Sequence, residues 1–163
     1  MCGIAGFAGL SSTPAEDRAT LEAMIHTLSH RGPDGYGYRV EPGIGLAHAR
    51  LSIIDLATGD QPIHNPAQTV WTVFNGEIFN YVELREELRS RGHVFRTASD
   101  TEVLLAAWAE WREDALPRLN GMFAFALYDA SEGRLFCARD RFGVKPFHYS
   151  WDGRLFAFAS EIK

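Results

Sequence analysis

Phe123-Ala124-Phe125-Ala126-Leu127 is apolar on both of its alternating faces, so a strand built from it must be covered on both sides. It belongs to a series of short apolar runs, Met122–Tyr128, Leu135–Arg139, Pro146–Trp151 and Leu155–Ser160, separated by turn residues. Asp152-Gly153 between the last two is a hairpin signal. Phe123, Phe125, Phe156 and Phe158 are expected to share an interior between two sheets. Earlier strands are predicted at Cys2–Ala8, Gly37–Val40, Gly45–Arg50 and Thr69–Asn75.

Helices precede this meander. Thr13-Pro14-Ala15-Glu16 is a capping box with proline at the first helical position. Leu21, Met24, Ile25 and Leu28 follow at helical spacing and form one apolar stripe. Asn80 is placed to cap a second helix, buried through Leu84 and Leu88 and stopped at Gly92. Ser99-Asp100-Thr101-Glu102 reads as another capping box, with Leu104, Ala107, Trp108 and Trp111 on one face beyond it. Capped helices and a late meander predict an α+β layered domain, helices packed outside stacked antiparallel sheets. Residues 1–163 read as one domain, and Ser160-Glu161-Ile162-Lys163 is expected to lead into further chain.

The composition narrows the function classes. The chain has 163 residues, 46% of them hydrophobic, enough for one substantial core. Its net charge is −5 and its sixteen Lys and Arg are scattered, which argues against a nucleic-acid partner. No apolar run approaches the ~18 residues of a membrane span, and the first residues lack a secretory pattern. Cys2 and Cys137 match no disulfide or zinc spacing, so a reducing cytoplasm and no metal are expected.

The chemistry is concentrated at the N-terminus. If Met1 is trimmed, Cys2 carries a nucleophile and a general base on one residue, because an α-amine titrates near ~8 and a thiol near ~8.5. The amine can take the thiol proton and later pass it to a leaving amine. Asn75-Gly76-Glu77 follows a predicted strand. The Asn75 amide and the Gly76 N–H are the donor pair an oxyanion requires, although Asn-Gly alone reads as a turn. Arg50 can grip a carboxylate bidentately, and Glu77 with Asp100 can bind an ammonium. Together these complement an α-amino acid and a site that cleaves a side-chain amide.

Six stretches carry a family resemblance: Met1–Phe7 (M-C-G-I-A-G-F), His30–Asp34 (H-R-G-P-D), Ala49–Asp55 (A-R-L-S-I-I-D), Phe74–Asn80 (F-N-G-E-I-F-N), Ser99–Glu102 (S-D-T-E) and Ala138–Pro146 (A-R-D-R-F-G-V-K-P). In this order they resemble the glutaminase domain of glutamine-hydrolysing asparagine synthetase, a class II glutamine amidotransferase. The resemblance implies the N-terminal-nucleophile hydrolase fold, a four-layer α/β/β/α sandwich of two antiparallel sheets. It implies hydrolysis of L-glutamine to glutamate and ammonia through a Cys2 thioester, with Asn75 and Gly76 as the oxyanion hole. Arg50 resembles the carboxylate clamp, Glu77 and Asp100 the amine ligands, and the backbone of Leu51, Ser52, Ile53 and Ile54 the rest of the pocket wall. No cofactor is implied for this half. The S-G-G-x-D-S stretch of the family's synthetase half does not occur here, so ATP and Mg are expected only in a synthetase domain, in cis or in trans. A homodimer is compatible with the resemblance. The rivals are the glutaminase of another class II amidotransferase with a different acceptor, and an inert glutamine-binding or docking domain that retains Met1.

Other residues read as structural. His26 and His30 stand at i, i+4 but lack a third ligand, and His48 beside Arg50 reads as structural. Cys137 reads as a small buried hydrophobe. Arg139, Asp140, Arg141 and Lys145 are expected to form an ion-pair network.

Overall fold

The computed structural model describes residues 1–9, 13–51 and 60–162. The elements run β1 (Gly3–Ala8), α1 (Pro14–His26), β2 (Gly35–Glu41), β3 (Ile44–Arg50), β4 (Ile63–His64), β5 (Val70–Ile78), α2 (Tyr81–Ser90), α3 (Asp100–Trp111), a 3₁₀ segment (Arg112–Arg118), β6 (Gly121–Asp129), β7 (Arg134–Arg139), β8 (His148–Trp151) and β9 (Phe156–Ala159). One sheet has the order β2-β3-β1-β9-β8 and the other β4-β5-β6-β7, with every pairing antiparallel.

Three apolar clusters separate four layers. α1 covers the outer face of the first sheet, where Leu21 and Ile25 meet Phe7, Ala47 and Ala49. Between the sheets lie Ile4, Leu46, Val73, Ala124, Ala126 and Phe158. On the far side Leu84, Leu88, Leu104 and Trp108 of α2 and α3 cover Phe74, Phe123, Phe125 and Leu127. The predicted α/β/β/α sandwich is the observed architecture.

β6 is covered on both sides as its sequence requires, but its phenylalanines face the other way. Phe123 and Phe125 point to the helices, while Ala124 and Ala126 form the contact between the sheets. Small residues there let the two sheets approach, and the large rings pack under α2 and α3. Only Phe156 and Phe158 belong to the shared interior anticipated for all four.

Local signals mostly hold. Thr13 and Glu16 form the reciprocal capping box with Pro14 in the first turn. The Asp152-Gly153 hairpin joins β8 to β9, with Trp151 opposite Phe156 and Gly153 at φ 96°. Two caps differ. Asn80 starts α2 without capping it, because its side chain bridges to Arg118 O and Asn120 N at 2.9 Å each. Ser99 caps α3 through Thr101 N, but Glu102 turns back to Arg96 N and Thr97 N instead of closing a box. Both side chains tie their helices to neighbouring chain rather than to their own first turn. None of the described helices is long and apolar enough to cross a membrane.

Candidate active site

The site lies at one end of the sandwich, where the start of β1 and the end of β3 in one sheet face β5 in the other. Gly3 pairs with Ala49, so Cys2 comes opposite Arg50. The Cys2 thiol is held by the Leu51 backbone: Leu51 N–H donates to Sγ at 3.4 Å, and Sγ lies 3.6 Å from Leu51 O. The Cys2 carbonyl accepts from Arg31 Nε at 3.1 Å. Arg31 is fixed in turn by Glu161 at 2.8 Å, which also meets His30 Nε2 at 3.0 Å. Arg31 of the H-R-G-P-D stretch thus joins Glu161, 130 residues away in sequence, to the main chain of Cys2.

Asn75-Gly76 is not a turn. β5 continues to Ile78, so Asn75, Gly76 and Glu77 lie within the strand, opposite Ala124, Phe123 and Met122. The expected strand end is displaced because pairing with β6 gives the Asn-Gly backbone a ladder to join. Val73 of β5 contacts the first sheet and Phe74 and Ile78 the helices, so Asn75 and Glu77 face the Cys2 side by alternation. Asn75 is buried, and its Nδ2 has no hydrogen-bond partner among the described residues. A buried amide donor left unpaired costs ~1–3 kcal/mol.

Alternate N–H groups of β5 point to its open edge. Phe74 N–H donates to Gln61 Oε1 at 2.6 Å and Ile78 N–H to Asp100 Oδ2 at 2.9 Å. The Gly76 N–H lies between them on that edge. A side chain at Gly76 would collide with Met122 O, since its Cβ would stand 2.2 Å away. The close backbone approach explains the glycine.

The charges in the cleft are unequal. Arg50 Nη1 meets the exposed Asp60 carboxylate at 2.5 Å, and the Arg50 side chain is only 15% exposed. Beside it His48 is buried; desolvation first, then the Arg50 charge, push its imidazole down to about 3, so it is neutral at ordinary pH. Burial raises the Asp100 carboxyl above its ordinary value, against the Ile78 and Thr101 hydrogen bonds that lower it. Cys137 is a different kind of cysteine: burial pushes its thiol up to about 12, leaving it inert.

Cys2, Arg50, Leu51, Asn75, Gly76, Glu77 and Asp100 line one cleft of about 150 Å³. That is below the ~300–1,000 Å³ of pockets for drug-sized ligands and suits a small metabolite. Ser52, Ile53 and Ile54 lie outside the described residues. His48, Gln61 and Lys145 are among the further residues that line the same cleft. Gln61 carries no local signal of such a place. Lys145 was visible only as part of the R-D-R-F-G-V-K-P run.

That run is not an ion-pair network. Asp140 accepts backbone N–H groups from Phe123, Phe142, Val144 and Lys145 at 3.0–3.2 Å. Although burial pushes the Asp140 carboxyl up, these donors outweigh it and hold the carboxyl low. Arg139 donates to the carbonyls of Lys145 and Gly143, and Arg141 to those of Leu119 and Pro117. The charges organise loop backbone, where a loop without regular pairing needs partners most. His26 packs edge-on against Tyr36 at 4.8 Å, a structural place.

Residues 1–163 match the family model described as the glutamine amidotransferase domain. The chain is 45% identical to glutamine-hydrolysing asparagine synthetase 3 of Bacillus subtilis (strain 168), over 100% of this chain and 27% of that protein. It is 42% identical to glutamine-hydrolysing asparagine synthetase 2 of Arabidopsis thaliana, over 100% of this chain and 28% of the relative. It therefore spans about a quarter of the length of these curated relatives. Among solved structures it is similar to the glutamine phosphoribosylpyrophosphate amidotransferase of B. subtilis complexed with ADP and GMP. The TM-score is 0.77 at 23% identity, covering 97% of this chain and 41% of that one. This likeness supports the fold, the N-terminal-nucleophile type of sandwich expected from the motifs. A sandwich of this architecture and a match along its entire length lead to one conclusion: the chain belongs to the glutamine amidotransferase domain family.

Proposed function

We propose that this chain hydrolyses the side-chain amide of L-glutamine to glutamate and ammonia through a thioester on Cys2. The observation that carries the reading is the convergence of Cys2, Arg50, Asn75, Gly76, Glu77 and Asp100 on one small cleft from four separate stretches of chain. With Met1 removed, the free α-amine of Cys2 accepts the thiol proton as Sγ attacks the γ-carbonyl carbon. The new oxyanion receives the Asn75 amide and the Gly76 N–H, the first of which has no other partner among the described residues. Collapse breaks the C–N bond, the α-ammonium returns the proton to the departing nitrogen, and ammonia leaves. Water activated by the same amine then cleaves the thioester, releasing glutamate and restoring the thiol.

Arg50 takes the α-carboxylate of glutamine, displacing the exposed Asp60 that now sits on its guanidinium. Glu77 and Asp100 take the α-ammonium. No cofactor enters these steps. The ammonia serves amidation in a synthetase domain, in cis or in trans, which would need ATP and Mg to activate its acceptor. β8, an edge strand with all four residues exposed, borders an open groove with Phe147, Tyr149 and Ile162, which favours cover by further chain there.

6-Diazo-5-oxo-norleucine, a glutamine analogue, tests the reading. It is expected to alkylate Cys2 and spare Cys137 in the protein whose N-terminus is Cys2, with L-glutamine protecting. Peptide mapping reads the outcome; an adduct on Cys137, or no adduct in the trimmed protein, would contradict it. A retained Met1 with glutamine binding but no adduct would favour the inert binding domain.

Asp100 provides a second test. Burial disfavours its ionised form, so in the absence of substrate the carboxylate opposes folding at neutral pH. The sign follows from the raised carboxyl: the contribution is unfavourable above the unfolded value and vanishes on acidification. Asp100→Asn is therefore expected to leave Tm equal or higher, while KM for glutamine rises ~10-fold or more from the lost charge-assisted bond. In wild type, KM should climb as pH falls through the raised carboxyl range. A lower Tm with unchanged KM would make Asp100 a helix residue only.

A further inference from the structure

Lys145 is a cleft residue that the steps above leave without a task. Only two of the sixteen basic residues of this chain are lysines, and Lys145 is buried, 7% exposed. Its backbone is clamped, with N–H donating to Asp140 Oδ2 at 3.0 Å and its carbonyl accepting from Arg139 Nε at 2.6 Å. The ammonium reaches into the cleft and donates to Met1 Sδ at 3.5 Å. A thioether is a weak acceptor, and no described carboxylate forms an ion pair with this ammonium. Burying an unpaired cation is costly, so such a group persists where a ligand or a reaction uses its charge.

What it touches is informative. Met1 is the residue whose removal creates the α-amine of Cys2, so Nζ stands within one methionine side chain of the bond that is cut. We propose that Lys145 is a positioning residue of the nucleophile: once Met1 has gone, its ammonium faces the new α-amine of Cys2 and keeps that amine in the free-base form. The inference rests on the glutaminase reading for its purpose, but the charge effect exists without turnover.

The reason is electrostatic. A free α-amine titrates near ~8, so at pH 7 about nine in ten would be protonated and unable to take the thiol proton. A nearby like charge disfavours protonation, as it does for amines beside cations in other sites. The other charged groups around Cys2 do not substitute for it. Arg31 is matched by Glu161, Arg50 lies on Asp60, and His48 is neutral. Glu77 and Asp100 favour the ammonium, so with them alone the amine would be more protonated.

The test uses protein shown by intact mass to begin at Cys2. The pH midpoint for acylation of the Cys2 α-amine by acetic anhydride, quantified on the N-terminal peptide, is compared among wild type, K145M, K145Q and K145R. The neutral variants are expected to raise the midpoint by about one unit, and K145R to stay close to wild type. For ammonia release from glutamine, the acid limb of kcat/KM should move up by the same amount in K145M and K145Q. Activity would fall severalfold to tenfold below pH 7 and converge with wild type at high pH. Equal acylation midpoints would overturn the proposal, as would a loss of activity uniform across pH or a rise in KM alone. Shifted midpoints in a protein that does not hydrolyse glutamine would support Lys145 while refuting the glutaminase reading.

Discussion

Cys2→Ala is expected to reduce ammonia release from glutamine to the uncatalysed level, a loss of many orders of magnitude, with the fold unchanged. The thiol is the only group in the cleft that can form the thioester, and an oxyanion hole without a nucleophile can accelerate only attack by water. The structural cost is small. Among the described residues Sγ makes two long hydrogen-bond contacts, both with the Leu51 backbone, at 3.4 and 3.6 Å, and the half-buried side chain lies outside the three apolar clusters. The substitution should therefore cost less than ~1 kcal/mol. Glutamine should still bind, because Arg50, Glu77 and Asp100 are untouched. Isothermal titration with glutamine and a coupled ammonia assay on the same preparation check both halves. Ammonia release equal to wild type would remove Cys2 from the mechanism, and loss of binding together with activity would make it a structural residue.

Asn75→Ala should lower kcat by roughly 10²–10³, the usual cost of one oxyanion donor, with little change in KM. The burial of Nδ2 without a partner makes the structural expectation unusual. Deleting a well-bonded buried amide normally destabilises, but deleting an unpaired donor removes a desolvation cost. Tm should consequently hold or rise as kcat falls, a combination a packing residue would not produce. Arg50→Lys is the contrasting variant, expected to raise KM at nearly constant kcat because the clamp acts equally on substrate and transition state. An effect of Asn75→Ala confined to KM would assign the amide to substrate binding. A large fall in Tm would assign it to the fold.

Much of this protein could be read from its sequence, and the legible parts share a cause. The Thr13–Glu16 capping box, the Asp152-Gly153 hairpin, the doubly covered strand around Phe125 and the stop at Gly92 all depend on residues a few positions apart. Such interactions are encoded in spacing alone. The residue types of the site were legible for a related reason: a nucleophile, two oxyanion donors and groups for both ends of an amino acid are chemical requirements that few side chains meet.

Tertiary contacts decided the rest. Alternation says that Phe123 and Ala124 point oppositely, but where both faces are apolar it cannot say which meets the helices. The tertiary packing settles that, with the rings joining the cluster under α2 and α3 and the alanines the one between the sheets. Asn75-Gly76 satisfies turn chemistry and strand chemistry alike, and the nine-residue ladder of β5 with β6 chooses the strand. The attachment of Arg31 to the Cys2 carbonyl and the arrival of Lys145 at Met1 join residues far apart in the chain. Neither contact leaves a local trace, because a charged residue in a loop carries the same sequence signal whether it meets solvent, a carboxylate or an active site.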